Sequence, residues 1–111
     1  MKWLVNFYNI KTMNIIQKWP LGIKTKFTWI VDLIEKHGPK EIGMPYVKAM
    51  GDGLFEIRVN SKDGIGRAIF CMLPRKRITI LTGFIKKTEK TPQKEMKLSV
   101  QRMKEVKNSN G

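Results

Sequence analysis

The sequence predicts a single α+β domain in which an N-terminal strand and a helical hairpin pack on an antiparallel sheet, with a helix at the C-terminus. Three observations predict this fold. Apolar residues recur at helical spacing on one face between Ile23 and Ile34. Short apolar or alternating runs, separated by turn residues, fill residues 54–85 and are typical of strands. Helical spacing returns over residues 92–106, which predicts the last helix.

The first half of the chain is predicted to be mainly helical. Residues 2–7 are apolar enough for a first strand, and residues 9–19 predict a helix that a proline interrupts. The next helix is expected to end at Gly38, followed by a proline. His37 lies in its last turn, where a cation suits the helix dipole, so we expect a structural or solvent role for it. Residues 40–52 are expected to form a loop.

Three strands are expected after this loop, over residues 54–60, 65–73 and 78–85. Turns at residues 60–64 and 74–77 connect them into a meander. The expected pairs are Phe55 with Phe70, Ile57 with Ala68, Phe70 with Leu81 and Leu73 with Ile78. In this register the apolar residues Ile57, Ala68, Phe70 and Leu81 share the face that packs against the helices.

The same register brings positive charges together on the other face. Arg58 lies opposite Arg67, which lies opposite Phe84, and Lys86 follows on the same face. Two opposed arginines destabilise a sheet by roughly 0.2–1 kcal/mol, and an anion between them would relieve the repulsion. One alternative is that one arginine lies along apolar surface while the other pairs with Glu56. Another is a one-residue slip of the first turn, which would separate the arginines.

The strongest compositional feature is a net charge of +13, from 22 Lys and Arg against 9 Asp and Glu. Such a surplus predicts a polyanionic partner, most often nucleic acid, and no apolar run is long enough to span a membrane. The N-terminus lacks the apolar region of a signal peptide, and the single Cys71 sits in an apolar run. We therefore expect a cytoplasmic protein. One histidine and one cysteine cannot build a zinc site, so no metal or cofactor is expected.

Residues 82–92 form a basic segment whose charged side chains are not expected in a hydrophobic core. It contains Lys86, Lys87 and Lys90, and a helix is expected to begin at Thr91. Lysines this close repel one another unless they share a negative ligand, and a helix N-terminus adds amides and partial positive charge. We interpret the segment as a phosphate-binding site; the alternative is a solvated basic turn.

Four short segments follow one another in a specific order: residues 43–48 (GMPYVK), 53–58 (GLFEIR), 64–67 (GIGR) and 83–92 (GFIKKTEKTP). Together they resemble the phage-derived branch of the RelE/HigB-like toxins of bacterial toxin–antitoxin pairs. The resemblance covers about residues 40–105, and the helical hairpin before them has the right length and place. It implies a RelE-like fold and one toxin domain over residues 1–107, followed by a frayed tail at 108–111.

The resemblance also implies an activity and a set of partners. It implies an endoribonuclease (an mRNA interferase) that needs no metal, cuts mRNA on the ribosome and is silenced by a cognate antitoxin with a helix-turn-helix DNA-binding domain. The implied catalytic residues are Arg58, Arg67, Lys86 and Lys87, and the implied RNA-binding residues are Lys48, Phe84, Thr88 and Lys90. The chain departs from the family pattern at Thr82, where many members carry histidine, and at Glu89, where many carry glutamine.

RNA cleavage without a metal requires a 2′-hydroxyl to lose a proton and attack the adjacent phosphate. Arg58 and Arg67 are suited to clamp the phosphate oxygens. Lys86 or Lys87 is a candidate base or acid, and Glu89 is a weaker candidate base. Three other functions remain open: a gyrase-poisoning ParE-like toxin, a non-catalytic basic RNA-binding module, and an inactive relative that serves only its antitoxin.

Overall fold

The computed structural model describes residues 2–109, and within them a five-stranded sheet carries helices on both faces. The elements are β1 (Leu4–Phe7), α1 (Ile10–Gln17), α2 (Leu21–His37), α3 (Pro39–Ile42), β2 (Val47–Gly51), β3 (Leu54–Ser61), β4 (Gly64–Leu73), β5 (Arg77–Ile85) and α4 (Gln93–Ser109). The strand order is β1-β5-β4-β3-β2, with β1 parallel to β5 and the other pairs antiparallel. The predicted α+β fold is confirmed.

Helices α1 and α2 cover one face of the sheet, and their close approach explains two glycines of the strands. A Cβ atom added at Gly66 would lie 2.7 Å from Ile23 Cγ2, and one added at Gly83 would lie 2.6 Å from Ile16 Cγ1. Both distances are too short for carbon atoms in a packed core. The two helices therefore rest directly on the backbone of β4 and β5, as the predicted helical hairpin requires.

Helix α4 covers part of the opposite face. Its apolar side packs on Leu54, Ile69, Cys71 and Leu81, and the contributing helix residues are Met96, Val100, Met103 and Val106. These four are the apolar residues whose helical spacing over residues 92–106 predicts the last helix. Burial raises the pKa of the Cys71 thiol, as expected for a small core residue. Because α4 packs on only part of this face, the rest of the face stays open.

A polar cluster with no clear signal in the sequence holds α4 to the N-terminal elements. The guanidinium of Arg102 donates to the carbonyl of Leu81 at 2.7 Å and to Thr12 Oγ1 at 3.1 Å. It also lies over the ring of Tyr8, 4.5 Å from the centroid. The Tyr8 hydroxyl donates to Glu105, and this hydrogen bond raises the pKa of Tyr8. The cluster thus joins α4 to α1 and β5.

The prediction of a loop over residues 40–52 is wrong in part, because the segment contains α3 and the edge strand β2. Val47 is buried at the start of β2 and contributes to the core under α2. Gly43, Gly51 and Gly53 adopt φ values of 56°, 91° and 84°. Their positive φ serves the turns before and after the strand, so glycine here marks the ends of a short strand rather than an irregular segment.

The register of the first hairpin is confirmed, with Phe55 opposite Phe70, Ile57 opposite Ala68 and Arg58 opposite Arg67. The second hairpin differs near its turn, where Leu73 pairs with Arg77 and Phe70 with Ile80 rather than with Ile78 and Leu81. The turn has three residues, and Arg75 and Lys76 both adopt positive φ. An irregularity between Ile69 and Phe70 then restores the predicted pairing of Arg67 with Phe84. One consequence is that Leu81 packs against α4, not against α1 and α2.

The last helix begins after Pro92, whose carbonyl accepts from the amides of Glu95 and Met96. It continues through Ser109, so residues 108 and 109 of the predicted tail are helical. Residues 110 and 111 lie outside the described residues. Within the described chain, no helix combines the length and the apolarity needed to cross a membrane.

Candidate nucleic-acid interface

A cleft of about 440 Å³ opens on the part of the sheet that α4 leaves uncovered. The residues that line it are Arg58, Asn60, Ile65, Arg67, Lys86, Lys87, Thr88 and Glu89. Among these described residues, four side chains carry a positive charge and one carries a carboxylate. The backbone amide of Lys86 donates to the carbonyl of Ile65 at 2.8 Å, which ties the basic segment to β4. The arrangement favours an anionic ligand.

The sheet register positions the two arginines side by side. Arg58 on β3 lies opposite Arg67 on β4, and Arg67 lies opposite Phe84 on β5. Directly opposed residues point to the same side of a sheet, which is here the side of the cleft. The convergence of these residues with Lys86 follows from the register that the sequence predicts.

A buried carboxylate, Glu56, offsets the repulsion between the arginines. Its Oε1 atom lies 3.8 Å from Arg58 Nε and 3.6 Å from Arg67 Nε. Both Nε atoms are buried and find no hydrogen-bond acceptor within the described residues, so Glu56 holds the pair by charge. The sequence suggests Glu56 only as the partner of one arginine, whereas the structure pairs it with both.

The two arginines differ in solvent exposure, and this difference determines which of them a bound anion can reach. The Arg67 side chain is only 3% exposed, and its Nη1 atom donates to Asn60 Oδ1 at 3.2 Å and to the Gly66 carbonyl at 2.9 Å. Burial lowers the pKa of Arg67, and the charge of Glu56 opposes that effect. The Arg58 side chain is 23% exposed. Arg58 is therefore the arginine that a bound anion reaches most easily.

Glu56 also connects the arginine pair to the basic segment. Its Oε2 atom accepts a hydrogen bond from the Thr91 hydroxyl at 3.2 Å. Thr91 was expected to cap the last helix, but its side chain turns to this carboxylate instead. The signal that would have identified Glu56 is its place two residues before Arg58 on the same face of a strand.

The structure gathers some of the predicted site residues and separates others. Thr88 lines the cleft with Lys86 and Lys87. Phe84 is half-buried and packs against the apolar residues under α4. Lys48 is exposed on the edge strand β2, opposite Glu56, and Lys90 is exposed beyond the cleft lining.

The two departures from the family pattern fall in different places. Thr82 is buried beneath α4, and its hydroxyl lies 2.9 Å from that of Ser99. In this chain the position thus serves the attachment of the last helix and does not line the cleft. Glu89 does line the cleft, where it adds the single carboxylate among the described lining residues. Residues 2–109 contain no group of three or more His, Cys, Asp or Glu side chains that could hold a metal ion.

Fold and site together define a small α+β protein with a strongly basic cleft on an open sheet face. The family described as "Phage derived protein Gp49-like (DUF891)" matches residues 14–104, from within α1 into α4. The chain therefore belongs to the Gp49-like family of phage-derived proteins, a family associated with toxin–antitoxin systems. Among curated proteins, none matches the chain. The narrower assignment to RelE/HigB-like toxins stays a prediction.

Proposed function

We propose that the protein is the toxin of a type II toxin–antitoxin pair and a metal-independent endoribonuclease of the RelE/HigB kind, which cuts mRNA on the ribosome. The observation that supports this most is the cleft itself. Two opposed arginines, held by a buried carboxylate, meet two lysines on an open sheet face of a Gp49-like chain. Such a cluster of guanidinium and ammonium groups stabilises a phosphate that gains negative charge during reaction.

The residues of the cleft fall into proposed roles according to their exposure. Arg58 contacts the scissile phosphate, and Arg67, fixed beneath it by Glu56, adds positive charge without needing to move. Thr88 holds the neighbouring backbone of the RNA, and Lys86 and Lys87 face the reacting phosphate. Lys48, Phe84 and Lys90 lie outside the cleft lining, so we propose no direct contact between them and the reacting phosphate.

The proposed reaction is an internal transfer at phosphorus. The Glu89 carboxylate accepts the proton of the 2′-hydroxyl, and the 2′-oxygen attacks the adjacent phosphorus atom. The bond between phosphorus and the 5′-oxygen breaks, and that oxygen receives a proton from the Lys86 or Lys87 ammonium group. The products are a 2′,3′-cyclic phosphate and a free 5′-hydroxyl, so atoms and charges balance without a cofactor.

The proposed partners follow from the unneutralised charge. A net charge of +13 and an open basic cleft attract RNA and the ribosome, and the same surface favours an acidic or cleft-covering antitoxin. We propose that this antitoxin carries a helix-turn-helix DNA-binding domain and is encoded by an adjacent gene. Co-purification from the native operon tests the partner; a protein recovered alone from cells that make both products contradicts it.

Induced expression in bacteria without the partner tests the activity. We expect growth to stop and new RNA ends to appear within translated messages. The double variant Lys86→Ala/Lys87→Ala should restore growth, and Lys94→Ala/Lys97→Ala is the matched control because it removes the same charge from the exposed side of α4. Normal growth with folded wild-type protein contradicts a toxin. Growth arrest without new RNA ends contradicts the ribonuclease and favours a gyrase poison.

A further inference from the structure

A cluster of exposed and half-buried side chains lies where α2 meets the edge of the sheet at β2, outside the cleft lining. Trp29 on α2 is 45% exposed, and Met44 before β2 is exposed as well. The rings of Trp29 and Tyr46 meet edge to face, with their centroids 5.1 Å apart. We call Trp29, Met44 and Tyr46 the aromatic platform. Single exposed apolar residues are ordinary on protein surfaces, whereas a cluster at the rim of a charged cleft is a candidate binding site.

The platform and the cleft are joined through Arg58. The Arg58 amide donates to the carbonyl of Tyr46 at 2.8 Å, and Arg58 Nη1 lies 3.8 Å from Met44 Sδ. A second connection runs through Lys26, whose Nζ atom lies 5.9 Å from the Tyr46 ring centroid and donates to the Asn60 carbonyl at 2.7 Å. Asn60 lines the cleft. A ligand held by Arg58 therefore lies beside Met44, the member of the platform that contacts Arg58.

Proteins that bind single-stranded nucleic acids commonly present aromatic rings interleaved with positively charged side chains. Bases that leave the helical stack lie on aromatic side chains while basic residues hold the backbone. Phe84, the aromatic residue among the RNA-binding residues that the resemblance implies, is half-buried and packs against the apolar residues under α4. The Trp29 ring is more accessible, and Lys26 and Arg58 flank the platform with positive charge.

We propose that the aromatic platform binds an unstacked nucleobase of the RNA strand whose phosphates occupy the cleft. This proposal rests on the proposed function, since it needs RNA in the cleft. The platform recognises the flat face of a base rather than its hydrogen-bonding edge. It therefore adds affinity for single strands with little preference for sequence.

Equilibrium binding to two ligands of equal charge tests the platform. One ligand is a short 2′-O-methyl oligoadenylate, which cannot be cleaved, and the other is the same backbone without bases. Trp29→Ala should weaken binding of the oligoadenylate by about 5- to 150-fold, the range for one lost base stack, and leave the abasic ligand unaffected. Trp29→Phe should keep most of the affinity. Leu21→Ala is the control on the same helix, where Leu21 is 73% exposed and apolar.

The outcomes separate this proposal from the one on which it rests. Wild-type protein that binds neither ligand contradicts RNA binding and the platform together. Equal affinities of the wild-type protein and Trp29→Ala for the oligoadenylate contradict the platform alone. An equal loss for both ligands also contradicts it, since that result reports charge or folding. Trp29→Leu, which keeps an apolar contact with Tyr46 but has no ring, provides a second variant if Trp29→Ala melts at a lower temperature.

Discussion

Replacing Glu56 by glutamine should strongly destabilise the protein. Glutamine keeps the size of the side chain and an oxygen for the Thr91 hydroxyl, but it removes the negative charge between Arg58 and Arg67. Breaking a buried ion pair by removing one partner costs about 3–5 kcal/mol. Arg67 is fully buried, whereas Arg58 reaches water, so we expect the lower part of that range.

The loss is large against the stability of a domain of this size, about 5–15 kcal/mol. Urea unfolding followed by circular dichroism measures it. Glu89→Gln is the matched control, because it removes a carboxylate from an exposed position of the same cleft and should change the free energy of unfolding by less than about 0.5 kcal/mol.

Added inorganic phosphate should recover part of the stability that Glu56→Gln loses. An anion that binds only the folded state stabilises it by about 2.7 kcal/mol at a concentration one hundred times its Kd. The variant should gain more from phosphate than the wild type, because its arginines have lost their own counter-charge. A Glu56→Gln protein as stable as the wild type, with no extra response to phosphate, would refute the role assigned to Glu56.

Three further predictions concern the elements around the cleft. The hydrogen bond to Glu105 raises the pKa of Tyr8, so its contribution to stability is present below about pH 10, the ordinary tyrosine pKa, and is lost as pH rises through the raised value. Melting temperatures of Tyr8→Phe should lack this alkaline decline. Gly83→Ala places a Cβ atom 2.6 Å from Ile16 and should cost about 1–3 kcal/mol in urea unfolding. Thr82→Val removes one buried hydrogen bond and should cost about 1 kcal/mol, with unchanged RNA affinity because the side chain lies under α4.

Most of the fold was predictable because the periodic patterns are long and the first hairpin has a clear turn. The strand pairing near the turn of the second hairpin, in contrast, was not predictable. Two departures from the expected pairing cancel there: a turn one residue shorter than expected and an irregularity after Ile69 together return Arg67 to its partner Phe84. The turn depends on positive φ at Arg75 and Lys76, which residue type does not signal. Strand β2 was not predicted because it is short and glycines lie near both of its ends.

The candidate site was predictable to the extent that it depends on register. Side chains alternate between the two faces along β3 and β4, which places Arg58 and Arg67 on the same face. Lys86 follows directly after the last residue of β5 and lines the same cleft. The extent to which each side chain is buried was not predictable, since it depends on how far α4 extends over the sheet. For that reason the burial of Arg67 and of Phe84, and the bridging position of Glu56, emerge only from the structure.

The burial of Arg67 changes one expectation about this residue. The repulsion between two opposed arginines would by itself predict that truncation of Arg67 leaves the fold intact. The structure shows a buried guanidinium with an ion pair and hydrogen bonds, so Arg67→Ala should lower stability. Arg58, which is more exposed, is the better probe of chemistry.

Single-turnover cleavage of mRNA on programmed ribosomes tests the central claim most directly. Arg58→Ala should lower the cleavage rate by about 10²-fold or more, the effect of losing one group that stabilises the transition state. Lys62→Ala, in the exposed turn between β3 and β4, removes the same charge outside the cleft lining and should leave the rate nearly unchanged. Thermal melts confirm that both variants are folded. Equal, small effects of the two substitutions, or no cleavage by the wild-type protein, would contradict an enzymatic cleft.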